Sequence, residues 1–519
     1  MKPQAAALGV VIALGVLLRF VGLETHVFWH DEVYTRFFAS GYQAADWRPA
    51  LFTGAVLDVS EVLAFQSHNP DKGVVDTMLG LARDEPQHPP LYYALVRLWV
   101  GAFGDSVATL RALSAVLSLL GLPAMYWFCR ELFRGEQSTR VAWTATALLS
   151  VSPFFVLYAQ QAREYALWSV LVLFANASLL YAMRRTQAEE RIPIAAWAGF
   201  SLLTAVSLYT SFSTAAVIMG QIAYVIWSAR GVPNRTSLSA AAAMAVSAVL
   251  FAPWASMLWL HFEAFQASMA WSKIIVIPRT ELLSTFALNI SRPFLDFWLD
   301  FNSPGAVVGV ALAVALIAWG LSELRHAQSR AIVFLSLLIA IPIGLLLLPD
   351  LIWGGIRSIS TRYLTPSLLA LVIAVAWAIA RQREGRIGEW VGAATLLGCA
   401  ASCVSNALEP AVWTTGISRT LPVVAQTIND SERPLVVGNL EVHHPGNLLA
   451  LCHQLKPGTK LQFLDHGIGY ATPYEVPEGF TDVFLYSPIP PFLGEPFPVP
   501  SDKLYEDLHL SLYRVADSP

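Results

Sequence analysis

The sequence predicts an all-α polytopic membrane protein of about eleven transmembrane helices, with extracytoplasmic loops and a small C-terminal α/β domain. Three observations predict it. Only 13% of the 519 residues are charged, where soluble globular chains run near about a quarter. Hydrophobic residues reach 55% and the mean hydropathy is +0.53. The apolar residues are gathered into runs of about 20, the length that crosses a bilayer core. In water such a chain would expose large apolar patches and aggregate. The net charge of −4 comes with no concentrated basic block, which excludes nucleic acid as a partner class.

The runs are 6–23, 107–128, 141–158, 165–183, 192–209, 211–229, 237–260, 305–322, 331–349, 364–380 and 390–407. The first follows Lys2 as a signal peptide would, but no small-residue cleavage site follows and Arg19 interrupts it, so it is read as a span. Cys129, Cys399, Cys403 and Cys452 form no CxxC pair. Cys399 and Cys403 are four apart inside an apolar run and read as packing residues.

Alternate connections carry the arginines: 130, 134 and 140; 184, 185 and 191; 230 and 235; 325 and 330; 381, 383 and 386, thirteen in five loops. The opposite short connections hold only Arg163, Arg357 and Arg362. The positive-inside rule then places the N-terminus in the cytoplasm and the C-terminus outside, in a multi-pass cell (inner) membrane. Residues 90–104 look like a twelfth span, but they are short and carry Arg97 in the middle. Counting them would throw every later loop to the wrong side, so they are read as an amphipathic helix on the outer surface.

The outer parts are then a first loop, 24–106, a second loop, 261–304, and a tail, 408–519. Trp271 and Trp298 suggest that the second loop hugs the interface. The tail has β-like runs at Leu435–Val437, Leu461–Leu464, Val483–Tyr486 and Leu508–Val515, with a helical stretch Asn447–Leu455 between the first two. That order suggests a small α/β domain. The expected organisation is a membrane catalytic domain, 1–407, which includes the first loop, and the tail domain of unknown role. There is no phosphate-cradling glycine loop.

Charge near lipid is expensive, so its position is informative. Four clusters fall on the outer face: His30-Asp31-Glu32; Asp84 to Pro90 with His88; Gln160 to Tyr165 with Arg163 and Glu164; and Ser360 to Tyr363 with Arg362. Arg111 sits near the outer end of the second span. Each has an ordinary alternative: solvated loop acids for Asp31 and Glu32, a turn cap for His88, and arginines snorkelling to lipid phosphates. The convergence of several clusters on one face favours a site. Arginine forks grip phosphate, and a carboxylate in the same cleft can take a proton from an attacking hydroxyl. A lipid-linked phosphate donor would meet both.

The chain resembles membrane glycosyltransferases of the GT-C class, specifically glycosyltransferase family 39, the protein O-mannosyltransferases and lipid A aminoarabinose transferases. The resemblance rests on Asp31-Glu32 after the first span, the HPPLYY string from His88 to Tyr93, the Gly104-Asp105-Ser106 to Leu110-Arg111 entry to the second span, and the Ser152-Pro153 to Gln161-Ala162-Arg163-Glu164-Tyr165 junction. It is strongest over residues 1–185 and ends near Tyr363. It implies sugar transfer from a polyprenyl-phosphate donor to a protein, lipid or glycan acceptor outside the cytoplasm, with inversion. Carried over, Asp31 would be the general base, Glu32 would orient acceptor or sugar, and Arg163 would bind the departing lipid phosphate with Arg111 and Arg362 as helpers. Glu164, Tyr165 and Tyr363 join the expected substrate-binding set. Relatives that use aminoarabinose carry a lysine where this sequence has His88. A divalent metal is the one cofactor the resemblance leaves open, with His30, Asp31, His88 and His261 as candidate ligands. The competing reading is a transporter or flippase of a lipid-linked sugar, but those place ionisable residues near mid-membrane, whereas here the long spans are almost free of acids and the charges sit at one rim.

Overall fold

The computed structural model describes residues 2–297, 303–382, 386–439, 445–464, 477–487, 501–507 and 509–515. Trp298, Arg383 and Leu508 lie outside the described residues. Two compact units emerge. A helical unit comprises 1–23, 85–92 and 111–408; an α/β unit comprises 24–84, 93–110 and 409–519. This departs from the boundary expected at 407/408, because most of the first loop segregates with the tail.

Every apolar run of the sequence contains a helix. Seven helices are long and apolar enough to cross a membrane, or eight if the bent pair Gln137–Val151 and Pro153–Ala159 is one span. The remaining three runs form shorter apolar helices, Ala6–Leu18, Ile194–Leu208 and Thr214–Ser228. Burial sorts them. The spans at Tyr165–Ala188 and Thr361–Arg381 are 89% and 94% buried, while Arg235–Leu260 is 22% and Ser329–Trp353 is 28% buried. The first two are interior helices and the others turn most of their apolar surface outward.

The bent pair is explained by a proline and repaired by an arginine. Pro153 has no N–H, so the carbonyl of Leu149 loses its helical donor. The chain bends by 57° there. Arg19 replaces the missing donors: its Nη2 reaches the Leu149 carbonyl at 3.2 Å and its Nη1 the Ser150 carbonyl at 2.5 Å. Its Nε donates to Ser118 Oγ at 3.1 Å. Cys403 Sγ donates to the Val151 carbonyl at 3.1 Å. A Cβ on Gly15 would overlap the Ser150 carbonyl, so this close approach requires glycine. The residue that interrupts the first apolar run is therefore the one that lets the third span bend.

In the α/β unit a six-stranded sheet has β1 (Val56–Asp58), β2 (Pro434–Asn439), β3 (Lys460–Leu464), β4 (Asp482–Tyr486), β5 (Ser501–Glu506) and β6 (Ser511–Val515) in the order β1-β3-β2-β4-β6-β5. β2 runs parallel to β3 and β4; the other pairs are antiparallel. Leu435 and Val437 pack with Leu464, Val483 and Leu485 on one face, while Val436 between them is fully buried on the other. A strand buried on both faces is the rule for parallel pairing. The expected strand–helix–strand order is present, with Pro445–Leu451 between β2 and β3. Two strands were not expected. β1 comes from the first loop, pairing Val56 with Gln462 and Asp58 with Lys460, and β5 is a polar edge strand.

The first loop is otherwise helical: His30–Ser40, Ala44–Leu51, Val59–Ala64 and Val74–Asp84. The helix expected at 90–104 is Leu91–Phe103, but its Arg97 is not a solvated surface charge. It is 5% exposed and donates to the carbonyls of Ala39, Ser40, Asn69 and Lys72. His453 belongs to the same unit, its ring edge-on to Phe28 at 4.7 Å. Burial, reinforced by the Arg36 charge, pushes its pKa down to about 3. The neutral ring donates from Nε2 to Gln66 Oε1 at 2.8 Å, while Gln66 Nε2 donates to the Leu449 carbonyl.

Candidate active site

The helical unit brings most of the expected residues to one junction, Gln160 to Tyr165, between the bent span and the interior helix Tyr165–Ala188. Gln160 Nε2 donates to the carbonyls of Leu18 and Val21 at 2.8 Å each, which ties the junction to the end of the first helix. Tyr92 hydroxyl meets Ser114 Oγ at 2.7 Å, and Ser114 donates to the Arg163 carbonyl at 3.3 Å. The segment carrying His88 is held by Trp254 Nε1 on the Pro86 carbonyl and by Leu91 N–H on the Tyr209 carbonyl.

His88 Nδ1 contacts Glu164 Oε1 at 3.1 Å, and Arg163 Nε pairs with Glu164 Oε2 at 3.3 Å. His88 Nε2 and Arg163 Nη2 are 3.4 Å apart. The Arg163 and Glu164 side chains are each 4% exposed, and His88 is 20% exposed. Burial opposes ionisation of Glu164, but the Arg163 charge and then His88 outweigh it and draw the carboxyl down to about 2. The carboxylate is therefore ionised, and a buried carboxylate matched to a buried guanidinium is the arrangement that lets either exist away from water.

Around this pair the aromatic rings carry a second guanidinium. Arg163 lies 5.9 Å and Arg362 5.7 Å from the Tyr165 ring centre. Arg362 also sits 5.5 Å from the Tyr363 ring, which meets Tyr165 edge-on at 6.5 Å. Two cations over one ring are held by its quadrupole and by packing. Arg362 and Tyr363 are partly exposed, where Arg163 and Tyr165 are buried.

The residues that set Arg362 in place are not singled out by the sequence. Asp350, at the end of the span Ser329–Trp353, accepts from Arg357 Nη1 and from the Ser358 N–H at 2.7 Å each. Asn289 Nδ2 donates to the Ile359 carbonyl at 2.8 Å, and the Ile356 N–H to the Ser272 carbonyl at 2.9 Å. Gly355 has φ of +117°, and a Cβ there would lie 2.7 Å from the Ser272 oxygen and 3.0 Å from Asp350 Oδ1. Only glycine fits. The available signal is an acid inside an apolar run, followed by Gly-Gly. A buried pair is also absent from the sequence expectations: Arg292 Nη1 and Asp296 Oδ1 at 2.5 Å, with Asn406 donating to Asp296.

Arg111 is fully buried, and its Nη1 donates to the Leu23 carbonyl at 2.7 Å, so it holds the turns that follow the first helix. Asp31 and Glu32 belong to the α/β unit, in the first turn of His30–Ser40. Glu32 is fully buried, while Asp31 keeps part of its surface. His30 donates its N–H to Ser418 Oγ at 3.1 Å. His261 ends the helix Arg235–Leu260 and lines a cavity with Trp259, Phe262 and Glu263. Among the described residues no group of three or more His, Cys, Asp or Glu is placed to hold a metal ion, so His30, Asp31, His88 and His261 are not gathered into one.

Residues 87–259, which include His88, Arg111 and the whole 160–165 junction, match the family model described as dolichyl-phosphate-mannose-protein mannosyltransferase. Over 99% of its length the chain superposes on 98% of ArnT from Cupriavidus metallidurans in the apo state, with a TM-score of 0.58 at 12% identity. The chain has the GT-C fold of membrane glycosyltransferases. The same GT-C arrangement matches ArnT from that organism bound to undecaprenyl phosphate, with a TM-score of 0.54 at 12% identity over 98% of each chain. It also matches the oligosaccharyltransferase of Archaeoglobus fulgidus tethered with an acceptor peptide containing the NVT sequon, with a TM-score of 0.51 at 13% identity. That likeness covers 88% of this chain but only 63% of the archaeal one, so the chain spans less than two thirds of the archaeal enzyme's length. No curated protein matches the sequence.

Proposed function

We propose that this GT-C protein transfers a sugar from a polyprenyl-phosphate donor to an acceptor hydroxyl or amine at the extracytoplasmic face, with inversion. The observation that carries the reading is the pair of guanidiniums, Arg163 and Arg362, set over the Tyr165 ring at a junction inside the family-matched stretch. Arg163 is paired with Glu164, and Arg362 presents a second, partly exposed guanidinium to a phosphate. His88, fixed by Glu164 through Nδ1, sets its Nε2 beside Arg163. The ArnT relative bound to undecaprenyl phosphate supports a lipid phosphate as leaving group.

In the step proposed, the acceptor oxygen or nitrogen attacks the anomeric carbon while the bond from that carbon to the phosphate oxygen breaks. The lipid phosphate leaves with the electron pair, held by Arg362 and Arg163. The acceptor proton passes to Asp31, in the first turn of the helix His30–Ser40. The thirteen-arginine side faces the cytoplasm in this reading.

Purified protein titrated with a short-chain polyprenyl-phosphate sugar tests both roles at once. Asp31→Asn keeps donor affinity and loses about 10²-fold or more in turnover. Arg362→Ala weakens donor binding by roughly tenfold or more, the loss of a charge-assisted hydrogen bond. Wild-type turnover in the first variant would falsify the base assignment, and unchanged affinity in the second removes the phosphate role.

A further inference from the structure

A second cavity in the helical unit lies at the other end of the helix Tyr165–Ala188. It holds about 550 Å³ and brings together Arg134, Arg184, Arg230 and Arg330 from four separate places in the chain. Arg134 follows the helix Gly121–Leu132, Arg184 lies near the end of Tyr165–Ala188, Arg230 follows Thr214–Ser228, and Arg330 opens Ser329–Trp353. The one carboxylate in the lining is Glu131. Arg184 occupies both of its oxygens, at 2.8 Å each, and Arg330 reaches the Glu131 backbone carbonyl and Gln328 Oε1 rather than the carboxylate. Among the described residues neither Arg134 nor Arg230 has an ion-pair partner. Four guanidiniums thus face one carboxylate in a shared concavity.

Arginines are favoured at helix C-termini in any case, and that accounts for the positions of Arg134, Arg184 and Arg230 but not for Arg330, which opens a helix. It does not account for their meeting in one hollow. Nor does it account for the backbone of Arg230, which adopts φ of +53° immediately before Gly231 at +74°. The two close the helix end through Arg230 N–H to the Trp227 carbonyl and Gly231 N–H to the Ile226 carbonyl. A left-handed backbone strains an arginine where a glycine would be at ease, so this side chain is set beside the hollow at a local cost. The rest of the lining suits an anion at a membrane edge, with Tyr224, Trp227, Ser228 and Ser329 offering donors and aromatic surface.

We infer that this hollow binds a phosphate-bearing anion, the chemistry shared by an anionic lipid headgroup and by free phosphate or pyrophosphate, at a site separate from the Arg163 junction. Guanidinium forks match phosphate oxygens in pairs, and basic hollows between membrane helices are suited to phospholipid headgroups.

The full-length protein in a neutral detergent is titrated with dihexanoyl phosphatidylglycerol, with its phosphocholine counterpart and with inorganic pyrophosphate, and binding is read from the shift in thermal unfolding. The expected result is that phosphatidylglycerol, pyrophosphate or both shift the transition, and that Arg134→Ala/Arg230→Ala weakens that binding roughly tenfold or more. Removing two guanidiniums that hold no carboxylate leaves the double variant folded as the parent is; its unfolding without ligand checks this. Binding of the lipid alone assigns the site to a headgroup, and binding of both assigns it to the phosphate group itself. The inference is overturned if neither anion shifts the transition, if the double variant binds as tightly as the parent, or if phosphocholine binds as well as phosphatidylglycerol.

Discussion

The helix Tyr165–Ala188 ends in arginine chemistry on both sides, and its two ends are built on opposite terms. Its 24 residues span about 36 Å. At the start, Arg163 and Glu164 are each 4% exposed and are joined by His88 and two tyrosine rings. At the finish, Arg184 holds Glu131 with two hydrogen bonds but keeps 44% of its side chain in contact with surroundings, and other guanidiniums gather beside it. Where water is excluded, each charge requires its own partner. Where water enters, surplus charge of one sign persists. The buried end is therefore the more fragile of the two, and the open end the more adaptable.

The largest expected effect breaks the buried end. Glu164→Ala leaves the Arg163 guanidinium buried without its carboxylate, and the expected cost is about 3–5 kcal/mol of stability, read as a large drop in the thermal unfolding midpoint of the purified protein. A drop no greater than that of a surface variant would show that water reaches Arg163. Acid sharpens the contrast. The carboxyl of Glu164 is drawn down to about 2 in the folded chain, below its usual value near about 4.5 when unfolded. Its contribution is complete above pH of about 4.5 and is lost as pH falls toward 2. The gap between parent and Glu164→Gln is therefore widest at neutral pH and narrows below about 4.5; a gap that stays constant to pH 3 contradicts the pairing. The smallest effect belongs to the open end, where Arg184→Ala removes a solvated pair worth about 0.2–1 kcal/mol. A loss as large as that of Glu164→Ala would make the two ends alike.

The sequence shows the buried end more clearly than the machinery that supports it. Arg163, Glu164 and Tyr165 stand in one string between apolar runs, so a charge forced against lipid is visible from hydropathy alone. His88 is 76 residues away yet falls beside Glu164, and only its family string points to it. Asp350 and Gly355 act through the backbone of the segment leading to Arg362, by a φ and a carbonyl approach that no residue pattern specifies. The apolar runs predict every long helix, because twenty residues of hydrocarbon leave the backbone few alternatives. β1 escapes because three residues, Val56–Asp58, carry no readable alternation, and β5 because an edge strand is free to be polar. Arg97 reads as a surface charge because its four carbonyl partners lie 25 to 58 residues upstream.

The pairing of β1 with β3 joins Asp58 to Lys460 across 402 positions of chain. As the polypeptide leaves the ribosome, the segment bearing Asp31 emerges early, yet its strand has no neighbour until nearly the whole protein has been synthesised. Contacts this distant in sequence form slowly. A product released before residue 460 would hold the described membrane-crossing helices but leave the sheet unfinished, a state that quality-control proteases can recognise and remove.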